Sequence, residues 1–259
     1  NEQSKTLEGY NKAHMYITQE REKMATAVLD PYSRINYHVI LADVKKCIAF
    51  QMMSMKVATS GKKVSSEQLL QDAHTAYSAA AVKCETYLKE STVSSDATNI
   101  RKFARTLVKF GQFCDEIYIK QQENNDHVLP VAKLAEGVIS SILTAMKIES
   151  REAHQRFPRL LEFIEKVAEV RPLFEQKIKL VPLWMLLAWI SQLLSHLNGE
   201  EGASIIESLV QVAETFPQSF YYPFNICKSE LKPVSAFVRN GIAAIESKIR
   251  NPRLEEFIE

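Results

Sequence analysis

The sequence predicts an all-α protein, an α-solenoid of antiparallel helix pairs wound as a right-handed superhelical array. Three observations carry that expectation. Glycine is scarce, 7 among 259 residues, under half the usual share of about 7%, so few positive-φ turns are available for hairpins. No segment sustains the period-two alternation of a half-buried strand. Apolar residues recur instead at helical spacing, in stretches separated by polar loops or prolines.

Element by element, a first helix is expected over 3–29, with Leu7, Tyr10, Ala13, His14, Ile17, Met24 and Val28 along one face. Pro31 breaks it, lacking an amide donor. A second covers 32–57 through Ile35, Val39, Leu41, Val44, Ile48 and Met52. Ser65 or Ser66 caps a third, with Gln68 placed for a capping box, running to about Glu90. Its inner face carries Ala73, Ala76 and Ala80, small enough to let two helices approach closely. The next pair is expected over 98–121 and 128–147. Ser150 caps a helix that continues past Pro158 to about Val170, and Pro172 starts a short one. Pro182 starts a tryptophan-bearing helix that stops at Asn198-Gly199. Its partner covers 203–215, Pro217 and Pro223 bracket a short aromatic helix, and the last clear helix is 233–248. Pairs of about 30–45 residues match helical-repeat units. The polar loop around 122–127 divides the chain into 1–126, with long TPR-like pairs, and 127–259, with shorter HEAT-like ones.

Composition excludes several function classes. Net charge is +1, from 32 basic and 31 acidic residues, so no domain-wide field exists to hold a polyanion. No direct nucleic-acid site is expected. The short basic clusters, Lys45-Lys46, Lys62-Lys63, Arg101-Lys102 with Arg105 and Lys109, and Arg151 with Arg156 and Arg159, read as solvated helix faces. Cys47, Cys84, Cys114 and Cys227 are far apart and form no C-x-x-C pair, the pattern of free thiols in a reducing, intracellular compartment. The chain opens on Asn1-Glu-Gln-Ser, which is no signal peptide, and the missing initiator methionine suggests a piece of something longer. The apolar run 180–190 is too short for a membrane span, which needs roughly 20 residues, so no membrane partner is expected.

Sites of chemistry are not legible. The one Gly-Lys pair, Gly61-Lys62, has Lys56 where a phosphate loop needs its first glycine. His14, His38, His74, His127, His154 and His196 stand apart from one another, unlike the paired histidines of a zinc site. No G-x-S-x-G elbow occurs. No catalytic, cofactor-binding or metal-binding residue is therefore assigned. Trp184 and Trp189, five residues apart, would point about 140° from each other on an α-helix. A helix so apolar on all sides is expected to be buried on both flanks, the alternative being an aromatic ligand groove.

The segment Val181-Pro-Leu-Trp-Met-Leu-Leu-Ala-Trp-Ile-Ser-Gln-Leu-Leu194, followed by Phe216-Pro-Gln-Ser-Phe-Tyr-Tyr-Pro-Phe224, resembles the FAT region of the phosphatidylinositol 3-kinase-related protein kinases. Pro182, Trp184, Trp189, Ile190 and Gln192 carry the resemblance in the first block, and Phe216, Pro217, Gln218, Tyr222 and Pro223 in the second. Upstream, Leu143-Thr-Ala-Met146 and Arg156, Phe157 and Pro158 of Arg156-Phe-Pro-Arg-Leu-Leu161 agree in order and spacing. All are expected as structural-core positions of the family motif. The match covers about 140–225, loosens over 240–259, departs after Phe224, and is one of pattern alone over 1–139.

The spelling is most similar to the family member that acts with the Ku heterodimer at broken DNA ends in non-homologous end joining. The resemblance implies a nuclear serine/threonine kinase as parent. Its ATP and magnesium would be handled by a kinase domain expected downstream, whose motifs are not in 1–259. This chain would then need no cofactor and would be a non-catalytic scaffold that clamps and regulates the kinase domain of the same polypeptide. The parent's partners would be Ku and DNA ends. Other readings are a FAT segment of another kinase of the family, or a free-standing helical-repeat adaptor that binds proteins.

Overall fold

The computed structural model describes residues 31–54, 65–89, 97–124 and 128–250, with the isolated positions 8, 9, 12, 15, 16 and 19. The helix expected over 3–29 lies, apart from those positions, outside the described residues. The described residues contain helices and no strand, so the all-α expectation is borne out, and successive helices pack in pairs as in a helical-repeat array. They form two compact units, Asn1–Gly137 and Val138–Glu259. The boundary falls inside the helix Val131–Lys147.

The first unit is built on α1 (Pro31–Ser54), α2 (Ser66–Lys89) and α3 (Ala97–Asn124). Pro31 opens α1, where its missing N–H costs nothing. Ser65, not Ser66, caps α2: its hydroxyl accepts the Gln68 amide at 3.1 Å. The Gln68 side chain donates instead to Asp72 at 3.0 Å, so the capping box is only half made. Contacts between Lys83 and His38 (2.9 Å), Tyr77 and Asp43, and Lys45 and Asp72 (2.8 Å) make α1 and α2 antiparallel. The tilted ring contact of Tyr77 with Phe113 (4.9 Å) and the stack of Tyr87 on Phe103 (6.2 Å) make α3 antiparallel to α2. Lys46–Glu116 (2.8 Å) and Lys109–Asp43 (3.1 Å) close the α1–α3 seam.

Ala73, Ala76 and Ala80 are buried, which lets the aromatic layer of Tyr77, Phe110 and Phe113 fill the centre. Buried Gln121 donates to the Leu129 carbonyl and accepts its amide, both at 2.9 Å. That pair fixes the turn into α4 (Val131–Lys147). At Gly137 a Cβ would stand 2.5 Å from Cys114 Sγ, so α4 approaches α3 as closely as only glycine allows. The free Cys84 and Cys114 are buried. Burial pushes the Cys84 thiol up to about 12 and the Cys114 thiol well above its usual value, so both are inert packing groups.

The second unit consists of short helices punctuated by proline. Ser150 caps α5 (Arg151–Gln155), accepting the Ala153 amide at 3.3 Å. Pro158 has no N–H for the His154 carbonyl, so the helix breaks at Arg156 and restarts as α6 (Phe157–Lys166). A 3-10 turn at Ala168–Val170 leads into α7 (Arg171–Ile178), with Pro172 in its first turn. Then come the 3-10 segment Leu183–Trp189, α8 (Ile190–Ser195) and a 3-10 turn at His196–Asn198. Helices α9 (Gly202–Thr215), α10 (Pro217–Cys227) and α11 (Ala236–Ile249) complete the unit. Helix α9 is its hub, packing against α7, Leu183–Trp189, α10 and α11. It lies so close to α11 that a Cβ on Gly241 would overlap the Ile206 side chain.

Three features of the second unit differ from what the sequence leads one to expect. Residues 183–189 are 3-10 rather than α, because Met185 and Leu186 are buried while the Met185 amide closes a short turn on the Pro182 carbonyl at 2.9 Å. Tertiary contacts override local α preference. The motif residues are not uniformly core: Trp184 is 51% and Tyr222 69% exposed, and Gln192 and Gln218 also face solvent. The apolar faces that need covering carry Met185, Leu186, Ile190, Phe220 and Phe224, and these residues lie on the opposite sides. Pro223 does not end its helix, which continues to Cys227; the carbonyl it leaves unpaired belongs to exposed Ser219, where water can satisfy it. Among the described residues no helix is long and apolar enough to cross a membrane.

Two predictions follow from this burial. His74 is 5% exposed, its ring 5.4 Å from that of Phe110, and its Nε2 has no hydrogen-bond partner among the described residues. Burial, then the Lys133 charge, lowers its pKa from 6.5 to about 4. The unfolded chain therefore takes up the proton first, and stability is complete above pH 6.5 and lost as pH falls toward 4, by at most about 1.4 kcal/mol per unit. Urea titrations at pH 7 and pH 5 should show a larger loss for the native chain than for His74→Leu; parallel losses refute the assignment. In the second unit Phe157→Ala should cost about 3–5 kcal/mol, since Phe157 is 0% exposed. Tyr222→Ala should stay within about 0.5 kcal/mol. Equal shifts of the two urea midpoints contradict the packing.

Candidate functional site

The candidate site is the tryptophan segment and the residues that cradle it, all within Val138–Glu259. Helix α5 is short and capped at Ser150, which sets His154 facing the segment. His154 Nε2 lies 2.8 Å from the Met185 carbonyl. A carbonyl only accepts, so the imidazole carries its proton on Nε2. The restart at Phe157 drives that ring inward, stacked on Trp189 at 6.3 Å and tilted against Phe174 at 6.4 Å. Trp189 also meets the His154 ring at 5.4 Å. Its buried Nε1 has no acceptor among the described residues, an arrangement that costs free energy unless contacts offset it.

Polar anchors surround this aromatic cluster. Arg171 donates from Nε to the Ile164 carbonyl at 2.9 Å and pairs with Glu200 at 3.0 Å. Lys177 reaches Thr144 at 3.1 Å. Lys179 bridges Glu207 (2.7 Å) and Glu175 (3.0 Å), and Glu207 first, then Glu175, hold its ammonium above the usual pKa. His196 Nδ1 meets Glu201 at 3.0 Å, with the carboxylate buried. That pair fixes the turn between α8 and α9.

The structure brings the three motif blocks together. Thr144 is tied to α7, Phe157 stacks on Trp189, and α8, which carries Ile190 and Gln192, packs against α10, the helix of Pro217, Gln218, Tyr222 and Pro223. Phe157 and Ile190 are buried. Arg156, Pro158, Pro182, Trp189, Phe216, Pro217 and Pro223 are partly buried. Trp184 stands on the solvent side, which leaves the aromatic groove without its second wall. Sequence reasoning missed His154 and Glu201. Each looked isolated because its partner lies elsewhere in the chain or on a tight turn; the only signal for His154 was its place one turn before Phe157 on a Ser-capped helix.

Chemically the cluster packs and positions. Among the described residues no group of three or more His, Cys, Asp or Glu side chains converges as a metal site would. Several basic-cluster residues are engaged locally: Lys45 with Asp72, Lys46 with Glu116, Lys109 with Asp43, and Arg159 with Glu162 and the Phe163 ring.

No protein-family model matches the chain. Curated relatives do. The DNA-dependent protein kinase catalytic subunit of Dictyostelium discoideum is 32% identical over 161 residues, 58% of this chain and 4% of that protein. That of Gallus gallus is 29% identical over 191 residues, 70% of this chain and 4% of the relative. That of Mus musculus is 32% identical over 117 residues, 44% of this chain and 3% of the relative. The chain thus spans about 4% of the length of the first two relatives. The likeness that the tryptophan and Phe-Pro-Gln blocks suggested is borne out: this chain is similar to one short region of the DNA-dependent protein kinase catalytic subunit.

Proposed function

We propose that this chain is a non-catalytic, FAT-type helical scaffold segment of a serine/threonine kinase like the DNA-dependent protein kinase catalytic subunit. Its role in that reading is to hold and regulate the kinase domain of the same polypeptide. The parent would work in the nucleus, with the Ku heterodimer and DNA ends, in double-strand break repair by non-homologous end joining. ATP and magnesium would belong to the kinase domain, not to these residues.

The observation that carries the reading is the meeting of its blocks. Segments at 143–146, 156–161, 181–194 and 216–224 fall in one compact unit, the last two packed against α9, and more than half of this chain is similar to that kinase. A stacked-helix unit whose parts each touch their neighbours passes a displacement from one to the next. Binding of DNA ends elsewhere on the parent would then bias the kinase between states through this scaffold.

In the full-length parent, Trp189→Ala should alter DNA-stimulated peptide phosphorylation several-fold while leaving the KM for ATP unchanged. Unaltered DNA-stimulated activity in a mutant of unaltered stability refutes the scaffold role. A changed KM for ATP would place the effect in the nucleotide site instead.

A further inference from the structure

Leu183–Trp189 is a seven-residue 3-10 helix. Such runs rarely exceed three or four residues, because their hydrogen bonds are poorly aligned. The segment also contradicts its own composition. Leu183, Met185, Leu186, Leu187 and Ala188 are among the best α-helix formers, and no glycine, proline or β-branched residue lies within it. What holds it is tertiary: the 2.8 Å bond from His154 to the Met185 carbonyl and the stack of Trp189 on Phe157. At Trp189 the backbone leaves helical values, with φ −113° and ψ 8°, before α8 begins. The price is visible in the buried Trp189 Nε1, which has no acceptor among the described residues.

We propose that Leu183–Trp189 is a conformational hinge that exchanges its 3-10 form for an α-helical one, with His154 as the latch of the 3-10 form. A 3-10 helix rises about 2.0 Å and turns about 120° per residue, an α-helix about 1.5 Å and 100°. Conversion therefore shortens the segment by about 3 Å and turns its far end by about 120°. With Trp189 held in its stack, Met185 turns by about 80° and moves about 2 Å, which takes its carbonyl off His154. The latch is thus specific to one register. Trp184 turns by about 100°, from the solvent side toward the flank that carries Met185 and Leu186. Extension along the segment selects the longer 3-10 form and compression the α form. None of this depends on the kinase reading.

The two tryptophans of the chain make the exchange measurable. Trp189→Phe keeps an aromatic ring in the stack and leaves Trp184 as the sole indole. In that background His154→Phe removes the donor but keeps a ring against residue 189, whereas His154→Gln retains a donor for the Met185 carbonyl. His154→Phe should blue-shift Trp184 emission and reduce its quenching by acrylamide; His154→Gln should keep the parent values. Unchanged quenching in a cooperatively folded His154→Phe chain, or an equal shift in His154→Gln, overturns the proposal. Should His154→Phe fail to fold, hydrogen exchange of the native chain decides. Amides of 183–190 should exchange at least about tenfold faster than those of α9, by local opening, and equal protection overturns the hinge.

Discussion

Proline spacing is the constraint on which Val138–Glu259 depends. Pro158, Pro172, Pro182 and Pro217 each withhold an amide donor where a helix would otherwise continue. No helix between α5 and α8 exceeds 10 residues, and helices that short are unstable without tertiary contacts. Each must bury its apolar residues against several neighbours, and α7, Leu183–Trp189 and α8 do so on α9. Asn1–Gly137 solves the same problem with length: helices of 24 and 28 residues offer long seams that need fewer partners.

The balance of forces differs accordingly. Along the seams of the first unit run ion pairs such as Lys46–Glu116 and Lys109–Asp43. Exposed pairs of this kind contribute at most about 1 kcal/mol each, so they set register more than stability. Stability there comes from the layer of Tyr77, Phe110 and Phe113, where Tyr77 also donates to Asp43. Burial and that bond hold the Tyr77 phenol protonated by raising its pKa. In the second unit the comparable layer is Phe157, Phe174 and Trp189, and beside it His154 and Arg171 bond the backbone carbonyls of Met185 and Ile164. Backbone acceptors at helix breaks are what proline punctuation leaves behind.

Helix type and order were legible from periodicity, because α-helical burial leaves a 3.6-residue imprint. The starts at Ser65, Ser150 and Pro217 were legible because capping and proline chemistry are local. What could not be read was any feature fixed by residues far apart in sequence. Leu183–Trp189 has α-forming composition, and its 3-10 form depends on His154, 31 residues away. The exposure of Trp184 and Tyr222 was invisible for a related reason. Hydrophobic content says that an element must be covered, not on how many sides, and the sides of Leu183–Trp189 and α10 that carry Trp184 and Tyr222 are left open to solvent. Pro223 misled because its cost depends on whether the Ser219 carbonyl can reach water.

The family-like motif divides into two physical classes. Phe157, Ile190, Phe220 and Phe224 are buried and hold the unit together. Trp184, Gln192, Gln218 and Tyr222 face solvent and contribute little to its packing. The proposed scaffold role would need both classes: a rigid hub that conveys displacement, and surface residues through which displacement enters or leaves. Helix α9 supplies the hub, since close packing against α11 at Gly241 leaves it no room to slide. Leu183–Trp189 packs on that hub while carrying Trp184 outward, so any contact made through Trp184 acts on the least regular element that the hub supports.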